Sequence, residues 1–234
     1  MMDYAARVAQ ADTYPKMLRL NAREHGHEIA LREKDLGLWR ESTWNDYQNR
    51  VRDFALGMIE LGIKRGDVVG IVGDNRPDWV AAEIATHAIG GMSLGMYRES
   101  LPEEVLYLLT YGETKIVFAE AEEQVDKLLE LGDRAPHLRH IVYSDPRGMR
   151  TYGDPRLILA DDLAAKGRDR AAREPQLYDQ MVDTTKADDV AVLCTTSGTT
   201  SNPKLAMLTA GAVLRHCAIY LAFDPKDSGD EYVS

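Results

Sequence analysis

The stretch Leu61-Gly62-Ile63-Lys64-Arg65-Gly66-Asp67-Val68-Val69-Gly70-Ile71-Val72-Gly73-Asp74-Asn75-Arg76-Pro77 decides the fold. It begins on the last turn of a predicted helix. Tyr47, Val51, Phe54, Met58 and Leu61 recur at spacings of three and four, so they share one helical face. Thr43-Trp44-Asn45-Asp46 marks the start of that helix as a capping box, with Asp46 in the place of the usual Glu or Gln. Gly62 ends it, because the position just past a last turn often takes positive φ. After the polar turn Lys64-Arg65-Gly66-Asp67, the run Val68–Val72 is apolar throughout, the pattern of a strand covered on both faces. Pro77 then suits the first turn of a second helix, through about Ile89.

The same alternation continues outward. Strands are expected around Met92–Tyr97, Lys115–Ala119 and His140–Tyr143, with helices opening at Pro102-Glu103-Glu104 and covering Glu122–Leu131. Elements alternating at this pitch predict an α/β fold, a mostly parallel sheet flanked by helices. Residues 145–187, rich in Pro, Gly and mixed charge, read as a surface excursion around one helix at Leu157–Lys166. Beyond them come a buried strand at Asp189–Leu193, an apolar segment at Leu205–Leu208 and a helix over Thr209–Ala222. Glu231-Tyr232-Val233-Ser234 reads as the first step of another strand, so residues 1–234 are expected to be the front portion of a longer domain.

Composition excludes several classes. The chain has 234 residues, of which 44% are apolar and 28% charged, as in ordinary globular proteins. A formal net charge of −10 gives no general attraction to nucleic acid. Cys194 and Cys217 form neither a CxxC pair nor a zinc-like spacing, and such sparse usage suits a reducing, cytoplasmic setting. The first twenty residues lack the apolar core of a secretory signal, and no stretch approaches the roughly 18 apolar residues of a membrane span.

Chemistry concentrates at Cys194-Thr195-Thr196-Ser197-Gly198-Thr199-Thr200-Ser201-Asn202-Pro203-Lys204, which leaves the predicted strand at Asp189–Leu193. Five hydroxyl side chains fall within residues 195–200, around a glycine that lets the backbone turn tightly. Hydroxyls and free backbone N–H groups donate to phosphate oxygens, and Lys204 supplies a mobile positive charge. The alternative is a polar Ser/Thr turn with no ligand. A Walker-type loop, GxxxxGK[ST], fails here: counted from Gly198, its second glycine falls on Pro203 and its Ser/Thr on Leu205.

Thr195 to Thr209 resembles the phosphate-binding loop of the adenylate-forming (AMP-binding) synthetases, which include the acyl-CoA ligases. Ser201 and Leu205 stand where glycine is commonest in that loop. The block Leu61–Ile71, followed by Asn75-Arg76-Pro77-Asp78-Trp79, Gly90-Gly91 and Tyr97, is similar to the N-terminal region of the same superfamily. The stretches Asn75–Trp79 and Tyr97–Ser100 are most similar to the long-chain fatty acyl-CoA ligases.

The resemblance implies two-step chemistry: a carboxylate attacks the α-phosphate of Mg·ATP, pyrophosphate leaves, and coenzyme A captures the acyl-adenylate. It also implies roles for residues. Thr196, Ser197, Gly198, Thr199 and Thr200 would cradle the β- and γ-phosphates, and Lys204 would neutralise them as the catalytic cation. The superfamily's Mg²⁺-binding glutamate, ribose-binding aspartate and catalytic lysine of a small C-terminal domain have no counterparts here. Tyr111-Gly112-Glu113-Thr114-Lys115 and Ser228-Gly229-Asp230 only mimic two of them. The 234-residue chain alone is therefore expected to be inactive. Fatty acid, ATP and coenzyme A are the expected small-molecule partners, and peripheral membrane contact suits an enzyme of lipid substrates. Two alternatives stay open: a non-catalytic remnant that binds nucleotide or a partner, and adenylation of an aryl or amino acid.

Other candidates read as structural. His25, His27, His137 and His140 have no acidic or cysteine companions at ligand spacing, and read as solvated loop histidines. Cys194 reads as a small buried residue, and Trp39, Trp44 and Trp79 as packing residues.

Overall fold

A computed structural model describes residues 4–196 and 203–226. Two short helices, α1 (Tyr4–Gln10) and α2 (Tyr14–His25), precede a hairpin of β1 (Ile29–Asp35) and β2 (Leu38–Thr43). The long helix α3 (Trp44–Glu60) follows. Then come β3 (Val68–Val72), α4 (Pro77–Ala88), β4 (Met92–Met96), α5 (Pro102–Tyr111), β5 (Ile116–Ala119), α6 (Glu122–Leu131) and β6 (His140–Tyr143). The described chain closes with β7 (Leu157–Leu159), α7 (Ala160–Arg173), α8 (Leu177–Thr184), β8 (Val190–Thr196), β9 (Lys204–Thr209) and α9 (Ala210–Phe223).

The main sheet has the order β7-β6-β5-β3-β4-β8-β9. Every neighbouring pair is parallel except β8 with β9. The predicted mostly parallel, helix-flanked sheet is therefore what the chain forms. Val68–Val72 is buried along its whole length, as an all-apolar central strand requires. Its side chains divide between two layers. Val69 and Ile71 join Phe54, Met58, Ala82 and Leu163 on one side, while Val68 and Val72 join Leu108, Leu109, Leu128 and Leu131 on the other.

Local signals explain the element ends. The Thr43 side chain accepts from the Asp46 backbone N–H and the Asp46 carboxylate accepts from the Thr43 N–H, completing the capping box. Gly62 takes φ 80° just past α3. At the end of α5 the left-handed position belongs to Glu113 (φ 50°), not Gly112. Gly112 serves space instead: a Cβ there would lie 3.1 Å from the Leu108 carbonyl oxygen.

Residues 145–187 depart from expectation. They are no surface excursion, because Ala160, Leu163, Ala164, Tyr178 and Val182 are all part of the core. The predicted helix at Leu157–Lys166 divides into the edge strand β7 and the start of α7. α7 lies so close to α3 that a Cβ on Gly167 would come within 1.8 Å of the Asp53 carbonyl oxygen, and one on Gly57 within 2.4 Å of that of Leu163. Glycine at both crossings lets the two backbones meet. Trp44 and Trp79 pack against the core as read, but Trp39 is exposed on the hairpin. His140 lies on β6 rather than in a loop.

Candidate functional site

In open α/β sheets ligands bind beyond the carboxyl ends of strands, where neighbouring strands send their connections in opposite directions. The strand order creates two such points. At the first, β3 runs off through α4 towards β4, and its neighbour β5 through α6 towards β6. At the second, β4 runs back through α5 towards β5, and its neighbour β8 runs outward to β9.

The first point is closed by its own side chains. Ile71, Val72, Phe118 and Ala119 floor it, and Arg76 fills its mouth, donating to Glu120 at 3.1 Å and to Glu33 of β1 at 3.0 Å. Arg98 pairs with Asp74 at 2.7 Å nearby. The space left is about 20 Å³, room for a single water. A nucleotide does not fit there.

The second point carries the hydroxyl-rich stretch. β4 holds β8 through only two paired positions, Ser93 with Val192 and Leu94 with Leu193. β8 then continues beyond the parallel ladder, supported by β9 alone, with Cys194 facing Ala206, Thr195 facing Leu205 and Thr196 facing Lys204. Cys194 is exposed for this reason, contrary to its reading as a buried residue. Thr196 and Lys204 close the stem of the loop, where the Thr196 hydroxyl donates to the Lys204 carbonyl oxygen at 3.3 Å. Both side chains are exposed, and Lys204 makes no ion pair with a described residue. Ser197, Gly198, Thr199 and Thr200 lie outside the described residues.

Tyr107 also belongs to this stem, and nothing in the sequence pointed to it. Its hydroxyl donates to the Pro203 carbonyl oxygen at 2.9 Å, and its ring stacks on Tyr111 with centroids 5.6 Å apart. The pair fastens α5 to the loop's descending limb. Beneath the β4–β8 junction lies a buried polar group. The Ser93 hydroxyl is 3.1 Å from His87 Nε2, 3.3 Å from a Glu83 carboxylate oxygen and 3.3 Å from the Ala191 carbonyl oxygen. Burial lowers the His87 pKa to about 4 and raises that of Glu83. His87 Nδ1 has no hydrogen-bond partner among the described residues.

The described residues contain no cluster of three or more His, Cys, Asp or Glu able to hold a metal ion. Among them no helix is long and apolar enough to cross a membrane. The Tyr111–Lys115 stretch is the turn between α5 and β5, with Thr114 buried, and so is structural as read. Ser228-Gly229-Asp230 lies outside the described residues.

Known proteins place this arrangement. The chain is 30% identical over 198 residues to the long-chain-fatty-acid-CoA ligase ACSBG2 of Xenopus laevis, a match covering 84% of this chain and 26% of that protein. It is 29% identical over 189 residues to the long-chain-fatty-acid-CoA ligase FadD15 of Mycobacterium bovis, covering 81% and 30%. The chain thus spans under a third of the length of these relatives. In structure it is similar to the anthranilate CoA ligase AuaEII in complex with anthranoyl-AMP (TM-score 0.68, 17% identity, 90% of this chain and 37% of that one). It is also similar to a Mycobacterium tuberculosis fatty acyl CoA synthetase (TM-score 0.64, 19% identity, 85% and 34%). The AMP-binding enzyme family matches residues 18–234, and with the strand-exit loop standing at an open switch point of the sheet, the chain belongs to that family.

Proposed function

We propose that residues 1–234 form the N-terminal portion of an AMP-binding domain that activates a long-chain fatty acid with ATP and transfers it to coenzyme A. One observation carries the reading. A hydroxyl-rich stretch leaves the sheet at the β4–β8 switch point, with Lys204 at its stem making no ion pair with a described residue. In this reading a fatty carboxylate oxygen attacks the α-phosphorus of ATP, the bond to the β-phosphate bridge breaks, and pyrophosphate leaves. The thiol sulfur of coenzyme A then attacks the acyl carbonyl, and AMP departs with the bonding pair. Thr196, Ser197, Gly198, Thr199 and Thr200 hold the leaving β- and γ-phosphates by hydroxyl and backbone N–H donors, and Lys204 offsets the charge that develops on them. Mg²⁺ enters as part of the Mg·ATP substrate.

The curated relatives named as long-chain-fatty-acid-CoA ligases support the fatty substrate. The likeness to the anthranilate CoA ligase keeps an aryl acid as a second reading. Fatty-acid-dependent exchange of pyrophosphate into ATP tests the assignment. We expect exchange from a polypeptide that continues beyond Ser234 and none from the 234-residue chain. Exchange with aromatic acids in place of fatty acids would overturn the substrate. Robust exchange from the 234 residues alone would overturn the claim that they are only part of the catalytic unit.

A further inference from the structure

β8 is the most lightly seated strand of the parallel sheet. It shares two paired positions with β4, where the other parallel neighbours among the described strands share three to five. Its antiparallel register with β9 slips between Val190 and Val192, so Ala191 has no paired residue there. Beyond Leu193 the strand continues with β9 alone. Thr196, at the loop stem, lies five residues past Ala191, roughly 16 Å along an extended strand. Over that lever a tilt of about 5° at Ala191 moves the stem by roughly 1.4 Å, a misplacement of the size that costs a reaction about a hundredfold.

Ser93 supplies the missing hold on Ala191. Its side chain is buried, and its hydroxyl meets three polar atoms: His87 Nε2 at 3.1 Å, a Glu83 carboxyl oxygen at 3.3 Å and the Ala191 carbonyl oxygen at 3.3 Å. A serine hydroxyl has one proton to give and two lone pairs with which to receive. The Ala191 carbonyl can only accept, so its contact needs the serine proton. The other two neighbours must then donate to the Ser93 oxygen, His87 through an Nε2–H and Glu83 through a protonated carboxyl. Any other distribution leaves no proton between Ser93 and Ala191. Burial of Glu83 favours its neutral form, as this arrangement requires. The Nε2–H tautomer also leaves Nδ1 as a bare acceptor. That spares the ring a buried N–H at the nitrogen that has no hydrogen-bond partner among the described residues. Tyr14 of α2 covers the ring at 5.0 Å between centroids.

We propose that Ser93 and His87 are positioning residues for the hydroxyl-rich loop. The His87 Nε2–H donates to the Ser93 oxygen, and the serine proton so directed holds the Ala191 carbonyl, fixing the angle at which β8 carries Thr196 and Lys204. Both residues are buried beneath the β4–β8 junction and act through β8. The use of this anchor rests on the ligase reading, in which the loop meets the phosphates of ATP. The relay of hydrogen bonds does not.

Hydrogen exchange of the 234-residue chain, without nucleotide, tests the relay. Ser93→Ala should speed exchange over Val190–Thr196 and Lys204–Thr209 about tenfold, and by more than over Val68–Val72 and Ile116–Ala119. His87→Leu should do the same, because the serine proton is no longer directed. His87→Gln, whose amide nitrogen falls near the place of Nε2, should restore the protection. Nitrogen NMR of the His87 ring should show Nε2 protonated and Nδ1 bare at neutral pH. An Nδ1–H tautomer, acceleration spread evenly over all strands, or His87→Gln behaving as His87→Leu would each overturn the proposal. In a polypeptide that continues beyond Ser234, Ser93→Ala should lower kcat for pyrophosphate exchange about tenfold and leave KM for the fatty acid unchanged. An unaltered kcat beside a loosened stem would show that the anchor does not serve the loop, and would also overturn it. No exchange from the wild-type polypeptide, with tautomer and protection pattern as expected, would sink the ligase reading and leave the relay standing.

Discussion

Lys204 is an exposed cation at the stem of a sequence rich in hydroxyls, and in the proposed reading its worth lies in where charge develops rather than in the fold. Lys204→Ala in the catalytically competent polypeptide should lower pyrophosphate exchange by about 10²–10³-fold, the usual effect of removing one donor aimed at a developing anion. Its unfolding free energy should change by less than about 0.5 kcal/mol, because no packing is lost. His87 makes the opposite case, a buried group felt in stability. Its ring meets Tyr14 at 5.0 Å between centroids, beside Ser93 and Glu83, and burial holds its pKa at about 4 against an ordinary 6.5. Below about pH 6.5 the unfolded chain takes up a proton that the folded chain refuses, so stability falls as pH drops towards 4. From pH 7 to pH 5 this amounts to about 2 kcal/mol in urea unfolding, and His87→Leu should remove that slope. Glu83 acts with the reverse sign. Its raised pKa favours the protonated folded form, so its contribution is lost as pH rises above the ordinary 4.5.

At the scale of elements, α3 shows how closely sequence and structure agree where one mechanism dominates. The Thr43–Asp46 box, the apolar face and the Gly62 stop are all short-range signals, and all are realised. Thr43→Ala should cost about 1 kcal/mol by thermal or urea unfolding, since it removes the acceptor for the Asp46 N–H. The contact of α3 with α7 lay beyond such signals. Gly167 reads as an ordinary loop or helix glycine until Asp53 is seen against it, and Gly167→Ala should cost about 2–3 kcal/mol by overpacking. β7 was lost in the run Leu157–Ala160 because three apolar residues before a helix have no period of their own. β1 and β2 carry no readable alternation of apolar and polar residues, because β2 is mostly exposed and the half-buried face of β1 bears Glu33 and Asp35 beside Leu31. The central strands were legible because burial on both faces leaves an uninterrupted apolar run. Cys194 shows the limit of that logic: β8 outlasts its parallel partner β4, and strand membership ceases to imply burial. The loop's residue types were legible from its sequence, whereas Tyr107 is brought to its stem only by the order of strands.

Taken as a whole, the molecule offers two places where a doubly wound sheet could receive a ligand, and its sequence treats them oppositely. At the β3–β5 point, Arg76 is spent on Glu120 and Glu33, and Glu120 also accepts from the Asp74 N–H at 2.7 Å. These bonds make the crevice a fastening for the hairpin, with the donors turned inward on their own chain. At the β4–β8 point Thr196 and Lys204 are exposed, the Thr196 hydroxyl is held by the Lys204 carbonyl oxygen, and the parallel ladder below is short. A triphosphate needs unengaged donors, and among the described residues the exposed Lys204 at the second point is a cation without an ion-pair partner, whereas Arg76 at the first is engaged. Hydrogen exchange with saturating ATP should therefore slow amides across residues 194–206 and leave residues 73–76 unchanged. Arg76→Ala sharpens the comparison. Freeing Glu33 and Glu120 should loosen the hairpin, seen as faster exchange over Ile29–Thr43, while ATP protection at the loop persists. Protection centred on residues 73–76, or its loss in Arg76→Ala, would move the nucleotide to the first switch point and leave the hydroxyl-rich loop without its assigned ligand.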